Sequence, residues 1–366
     1  MIAVANAPCS YGAFEITVGI DPNVPDSLPL LDDVARAGYA GIDLGPVGYL
    51  GTGDELRARL QERSLALAGG YFAVPFSDPE ALDGELTRLD ELLDTFDAAR
   101  DGSAGTADTL PLPRPTVADA GSDARSAYPG RAVNDRSLGW DDAGWDRFAQ
   151  ALARIVARCR ERGYEPTFHP HTATYVEAPW EIDRLLECSD VGVCLDTGHL
   201  LLGGGDPVTA VGAWGARINH LHVKDARLEI ITAIIAESAP VEEIWRRRAF
   251  CRLGEGDVRS TACSTACARS ATAAGSSSSR TSSPTPPIRP TRRRRTRRRT
   301  ASSSQRAGSE TRTGLRELAV VIRASTRCVG HDASGIVPLR VQSRPSCFVQ
   351  PTATAGPIFG RLPTKI

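Results

Sequence analysis

The chain has 366 residues, 41% of them hydrophobic and 24% charged, with a formal net charge of −1. That length and apolar content allow one large domain or two ordinary ones, and no apolar run approaches the roughly 18 residues that span a bilayer. The opening MIAVANAPCSYG lacks the basic and apolar regions of a secretory signal, and nine cysteines, an odd count without framework spacing, favour buried free thiols over disulfides, so a cytoplasmic protein is expected.

From the N-terminus to Val258, strand-like apolar runs alternate with amphipathic helical patterns. The strand candidates are IAVANAP (2–8), GIDLGP (41–46), LALAGGYFAV (65–74), TVADAG (116–121), EPTFHPH (165–171), VGVCLD (191–196) and INHLHVK (218–224). Helical patterns lie at 28–37, 53–63, 78–99, 141–162, 179–188, 206–216 and 228–248. In the fourth of these, Trp145, Phe148, Leu152, Ile155, Val156 and Cys159 recur at three- and four-residue steps and make one apolar stripe, which Gly163 ends. The segment 101–140, rich in Gly, Pro, Asp and Ser, reads as a long loop over the sheet's C-terminal edge. Strict alternation predicts a parallel sheet covered by helices, and seven units are one short of a closed (β/α)8 TIM barrel. The fold class expected is therefore an incomplete TIM barrel, its eighth strand missing where the composition changes, with unpaired edges at the first and seventh strands.

That change is abrupt. Residues 259–366 hold 20 basic residues against three acidic ones, whereas the first 258 hold 23 against 41. The text becomes serine, alanine, proline and arginine without hydrophobic period, which predicts a catalytic domain over 1–258 and a disordered basic tail over 259–366. One account of the tail is an arm for nucleic acid. A shifted reading frame near residue 258 is the other: codons for SATAAGSSSSRT (270–281) can be chosen so that the neighbouring frame reads IGYGGWLVVEQD, a helix end followed by a buried strand. The second account is preferred, so nucleic acid is not an expected partner.

Five of the six histidines, at 169, 171, 199, 220 and 222, fall in three consecutive strand ends. In a barrel the chemistry sits at the C-terminal ends of the strands. Side chains alternate along a strand, so His169 and His171 share one direction, as do His220, His222 and Lys224. Asp196 and His222 offer carboxylate and imidazole to a divalent ion from adjacent strands. Blander readings stand beside these: Asp196 as a helix cap, His220 as packing, Lys224 and Asp225 as a solvated ion pair, and Cys194 as core. The glycine-rich LLGGGDP has no phosphate-cradling spacing and reads as a connection capped by Asp206.

Together GIDLGPVGYL, HPHTATYVEAPWEIDRLL, GVCLDTGHLLLGGGDP and INHLHVKDA resemble the xylose-isomerase-like TIM barrels, the sugar phosphate isomerase/epimerase group, and within it the inosose dehydratases, over residues 1 to about 258. The resemblance implies a divalent ion, manganese or cobalt first, with magnesium and zinc as alternatives. An acid from strand five, an aspartate from strand six, a histidine from strand seven and a glutamate from strand eight hold it. Asp196 and His222 match the middle two. His169 stands where many relatives carry glutamate, with His171 or Glu177 as substitutes, and the last glutamate has no counterpart except in the shifted frame, within VVEQD. The implied metal ligands are His169, Asp196 and His222; His199 and Lys224 are the implied acid and base, and His171 orients substrate hydroxyls.

The implied activity is proton removal next to a carbonyl of a polyol or sugar, ending in dehydration of a keto-inositol in inositol catabolism. Sugar or sugar-phosphate isomerisation or epimerisation is the alternative, and an inactive truncated barrel or a basic nucleic-acid-binding protein a third. The partner expected is a small molecule and not a membrane, with homo-oligomers left open. A barrel short of a strand and a carboxylate is expected to be weakly active and poorly soluble.

Overall fold

The computed structural model describes residues 3–100, 112–259 and 319–322. In chain order its strands are β1 (Ala3–Asn6), β2 (Gly41–Asp43), β3 (Ala66–Val74), β4 (Arg114–Asp119), β5 (Thr167–Phe168), β6 (Gly192–Asp196), β7 (Ile218–Val223), β8 (Asp225–Ala226), β9 (Phe250–Cys251) and β10 (Ala319–Ile322). The seven expected strands are β1 to β7, all parallel neighbours in that order.

Seven successive strand-and-helix units of an incomplete TIM barrel are what the chain forms, with one addition. The eighth place in the ring is filled, because β10 pairs in parallel with β7 on one side and β1 on the other. The barrel closes through hydrogen bonds although no eighth strand-and-helix unit follows β7 within the described residues. A strand of four apolar residues, AVVI, is too short to show a period and lies inside a segment of opposite composition. Strands β1 and β7 are therefore not open edges. The rest of the tail from residue 260, including the shifted-frame segment 270–281, lies outside the described residues.

Helices α1 (Ser27–Arg36), α2 (Gly53–Glu62), α3 (Leu82–Arg100), α4 (Asp123–Ala127), α5 (Asp142–Glu161), α6 (Pro179–Cys188), α7 (Thr197–Leu202), α8 (Pro207–Trp214), α9 (Leu228–Glu237) and α10 (Glu242–Arg246) alternate with the strands. The α5 stripe from Trp145 to Cys159 is wholly buried, against Phe168 and Phe76 among others. The pattern read as one helix over 228–248 is two. Pro240 lacks the N–H that a helix interior needs and restricts the residue before it, so α9 ends at Glu237, with Ser238 left-handed at φ 56°. The presumed long loop begins outside the described residues but contains β4 and α4. Of the five described cysteines none is in a disulfide.

Candidate active site

Backbone register brings the site together. A shift between Val193 and Cys194 aligns Cys194 with His220 and Asp196 with His222 across β6 and β7. Paired residues of parallel strands share a face, so a carboxylate and an imidazole meet at the barrel mouth. His169 follows β5 directly and continues its ladder, its N–H donating to the Val117 carbonyl at 2.7 Å.

Asp196 divides its two oxygens between fold and site. Oδ1 accepts the backbone N–H groups of Gly198 (3.1 Å) and His199 (3.0 Å) and so caps α7. Oδ2 lies 3.2 Å from His169 Nε2, 3.5 Å from His222 Nδ1 and 2.8 Å from Lys224 Nζ. The cap reading of Asp196 holds on Oδ1, and Oδ2 is left facing two imidazoles and the Lys224 side chain. Gly198 is required here, since a Cβ at that position would stand 2.8 Å from the Lys224 Cβ and 3.0 Å from the Phe250 ring.

The other imidazoles pack around this carboxylate. Ring centroids are 4.9 Å apart for His169 and His222, 5.4 Å for His169 and His199, and 3.9 Å for His171 and His199. Tyr71 of β3 closes the rim, 6.0 Å from His169 and 6.2 Å from His171. Two sets of three donor atoms lie within 4.8 Å of one another: His169, Cys194 and His222, and His169, Asp196 and His199. Cys194, read as core, is therefore also within ligand reach.

Burial sets the charges. It pushes the His169 imidazole down to about 3 despite the Asp196 carboxylate, and holds His199 and His220 well below their usual range. Burial would raise the Asp196 carboxyl, but the Lys224 ammonium and then the surrounding histidines hold it well below. At neutral pH the site therefore holds the Asp196 carboxylate beside neutral His169, His199 and His220 imidazoles.

Lys224 and Asp225 are both buried, which corrects the solvated-pair reading. Lys224 pairs with Asp196. Asp225 instead accepts the N–H groups of Ala226, Gly254, Gly256 and Val258 at 2.8–3.0 Å and clasps the loop after β9.

Glu177 does not reach the donor cluster by any hydrogen bond of the described residues. Its Oε1 accepts from Ala173 N (2.9 Å) and Gly130 N (3.0 Å), and its Oε2 from Arg125 Nη2 (3.1 Å). Arg125, fully buried, also donates to Glu181 Oε1 at 2.7 Å and Oε2 at 3.2 Å. Burial pushes Glu177 up to about 7 against the pull of Arg125. This network and Asp119, whose Oδ2 accepts from Tyr175 N (2.9 Å) and Gly121 N (3.1 Å), fix the turn that carries His171 and Thr172. Glu177 has a place in the sequence reading only as a substitute for His169, and Arg125, Glu181 and Asp119 have none, because the partners lie some fifty residues away along the chain. Asp206 caps α8 as expected, through Val208 N at 3.1 Å.

His220 sits one layer deeper, its ring 5.1 Å from that of His222. Among the described residues neither of its nitrogens has a hydrogen-bond partner. Leaving a buried polar group unpaired costs about 1–3 kcal/mol, so His220→Leu is expected to hold or raise stability by about 1 kcal/mol in urea unfolding at pH 7. A fall of more than about 2 kcal/mol would show that the imidazole is satisfied.

Among the described residues no helix is long and apolar enough to cross a membrane. The family profile described as xylose isomerase-like TIM barrel matches residues 31–259. The chain is similar to an inosose dehydratase of Geobacillus kaustophilus, 29% identical over 62% of this chain and 71% of the relative, and to one of Lacticaseibacillus casei, 30% identical over 54% and 62%. It therefore spans less than two thirds of the second relative's length. Among solved structures, a xylose isomerase-like TIM barrel/4-hydroxyphenylpyruvate dioxygenase fusion protein superposes with a TM-score of 0.50 at 18% identity, covering 72% of this chain and 36% of the other, a likeness of fold. A closed parallel barrel with its polar cluster at the strand ends, matched by the profile over more than half its length, makes this chain a member of the xylose isomerase-like TIM barrel family.

Proposed function

We propose that this protein is a divalent-metal-dependent lyase that dehydrates a keto-inositol. The observation that carries the reading is Asp196 Oδ2, within 3.5 Å of the imidazoles of His169 and His222 at the barrel mouth. These residues fit a metal: His169 Nδ1 is buried without a hydrogen-bond partner among the described residues, burial keeps the His169 imidazole neutral, and a buried carboxylate supplies charge. His169, Asp196 and His222 would hold the ion. The closing strand, AVVI, contributes no carboxylate, and Val321 is the residue in register with His222. The ligand set is accordingly richer in nitrogen than the family pattern, and cobalt or zinc suits it at least as well as manganese.

When bound, the ion supplies Lewis acidity toward a carbonyl oxygen, lowering the cost of negative charge there. The chain's own groups do the rest. Asp196 orients the imidazoles and balances Lys224, whose Nζ lies 5.3 Å over the Phe250 ring. His199, Lys224 and His171 surround the space beside the ligands and are the groups that hold or move protons on substrate.

The test is turnover. The cobalt- or manganese-loaded protein is incubated with inosose, and loss of water is followed by the absorbance of the dione product. Formation of the dione supports the reading; recovery of an epimerised or isomerised sugar, or of unchanged inosose, overturns it.

A further inference from the structure

Two mouth histidines meet one residue, Thr172, through groups of opposite sense. His171 Nδ1 lies 2.9 Å from the Thr172 carbonyl oxygen. A carbonyl can only accept, so that nitrogen carries the proton and Nε2 of a neutral His171 holds the lone pair. On the other side, the Thr172 backbone N–H donates to His199 Nδ1 at 3.3 Å, and the Thr172 hydroxyl lies 2.8 Å from the same nitrogen. A backbone N–H can only donate, so His199 Nδ1 is an acceptor and the proton of a neutral His199 sits on Nε2. The rings stand 3.9 Å apart and tilted by 40°.

The turn is built to present both faces of that one peptide unit. Ala173 is left-handed at φ 66°, a strained conformation for a residue with a Cβ, and its N–H is tied to the Glu177 carboxylate at 2.9 Å. The Thr174 hydroxyl donates to the His171 carbonyl at 2.8 Å.

We propose that Thr172 is a positioning residue that sets His171 and His199 in opposite tautomers, making His171 Nε2 the proton acceptor and His199 Nε2–H a neutral hydrogen-bond donor to the substrate. The reaction part of this rests on the dehydration reading above; the tautomers do not. His171 Nε2 takes the proton from the carbon beside the carbonyl, and the C–H electron pair moves toward the carbonyl oxygen. The β C–O bond then breaks, and the same proton passes from the His171 imidazolium to the departing hydroxyl, which leaves as water. His199 keeps its proton throughout and steadies the developing oxyanion. The substrate loses one water and nothing is oxidised or reduced.

A second consequence concerns the donor set of His169, Asp196 and His199. Metal binding needs an imidazole lone pair; His199 has Nδ1 engaged by an N–H and a proton on Nε2, so His199 is not a ligand.

The experiment is nitrogen-15 NMR of the histidine rings in the full-length, metal-free protein, with His171→Asn and His199→Gln spectra for assignment. One Nδ1–H pattern at His171 and one Nε2–H pattern at His199 are expected. Thr172→Val removes the closer, 2.8 Å partner of His199 and leaves only the long 3.3 Å backbone N–H to hold Nδ1 as acceptor; it is expected to mix the His199 tautomers, leave His171 unchanged, and lower kcat about tenfold at constant KM, with Thr172→Ser restoring both. A wild-type His199 protonated on Nδ1, or equal tautomers in wild type and Thr172→Val, overturns the proposal, and the wild-type spectrum decides even if the valine variant does not fold. Correct tautomers in a protein that fails to dehydrate inosose would instead remove the substrate reading alone.

Discussion

Asp196→Asn is expected to abolish stoichiometric metal retention and to lower kcat/KM about a thousand-fold, ~4 kcal/mol of transition-state stabilisation. The substitution separates the two duties of this side chain. Asparagine caps a helix as well as aspartate does, so α7 keeps its start through the amide oxygen. What is lost is the negative charge at Oδ2, which faces two imidazoles and the Lys224 ammonium within 3.5 Å. The ammonium then stays buried without its counter-charge, a penalty of about 3–5 kcal/mol. Adding Lys224→Met to Asp196→Asn relieves that penalty and is expected to return the stability without the metal. Atomic emission of the purified proteins together with urea unfolding separates these effects. Retention of a full metal equivalent by the double variant would show that Asp196 is only a cap.

The second large effect lies off the site. Arg125→Met is expected to cost about 3–5 kcal/mol, because it strands Glu177 and Glu181 in a fully buried pocket. The melting temperature should fall by roughly 10 °C in calorimetry. Adding Glu177→Gln and Glu181→Gln neutralises the stranded acids while keeping acceptors for the N–H groups of Ala173, Gly130, Glu177 and Ala178, and at least half of the loss is expected to return. A loss below about 1 kcal/mol for Arg125→Met would mean that the network adds little. The same substitution loosens the turn at 171–177, so kcat should fall even at temperatures where the variant is folded.

How legible this was depended on how local the signal is. The α5 stripe and the bounds of α6 at 179–188 follow from helical spacing and a proline at the start, both local. The mouth cluster follows from alternation on three successive strands; His169, His171, Asp196, His199, His222 and Lys224 lie together, with His220 beneath His222. Register could not be read: it takes a shift at Cys194 to set Asp196 beside His222. The Arg125 network joins α4 to a turn and a helix some fifty residues on, and isolated residues with no period announce nothing of that kind. The closing strand is the extreme case. Its four residues pair with strands about 100 and 315 positions away, on a ladder whose partners carry all the information.

X-ray absorption at the metal edge of the cobalt- or zinc-loaded full-length protein tests most directly whether His169, Asp196 and His222 gather around one ion. The account expects one metal per chain with outer-shell scattering from two imidazoles, and from one only in His222→Ala. A shell of oxygen alone, or a spectrum that His222→Ala leaves unchanged, would contradict it.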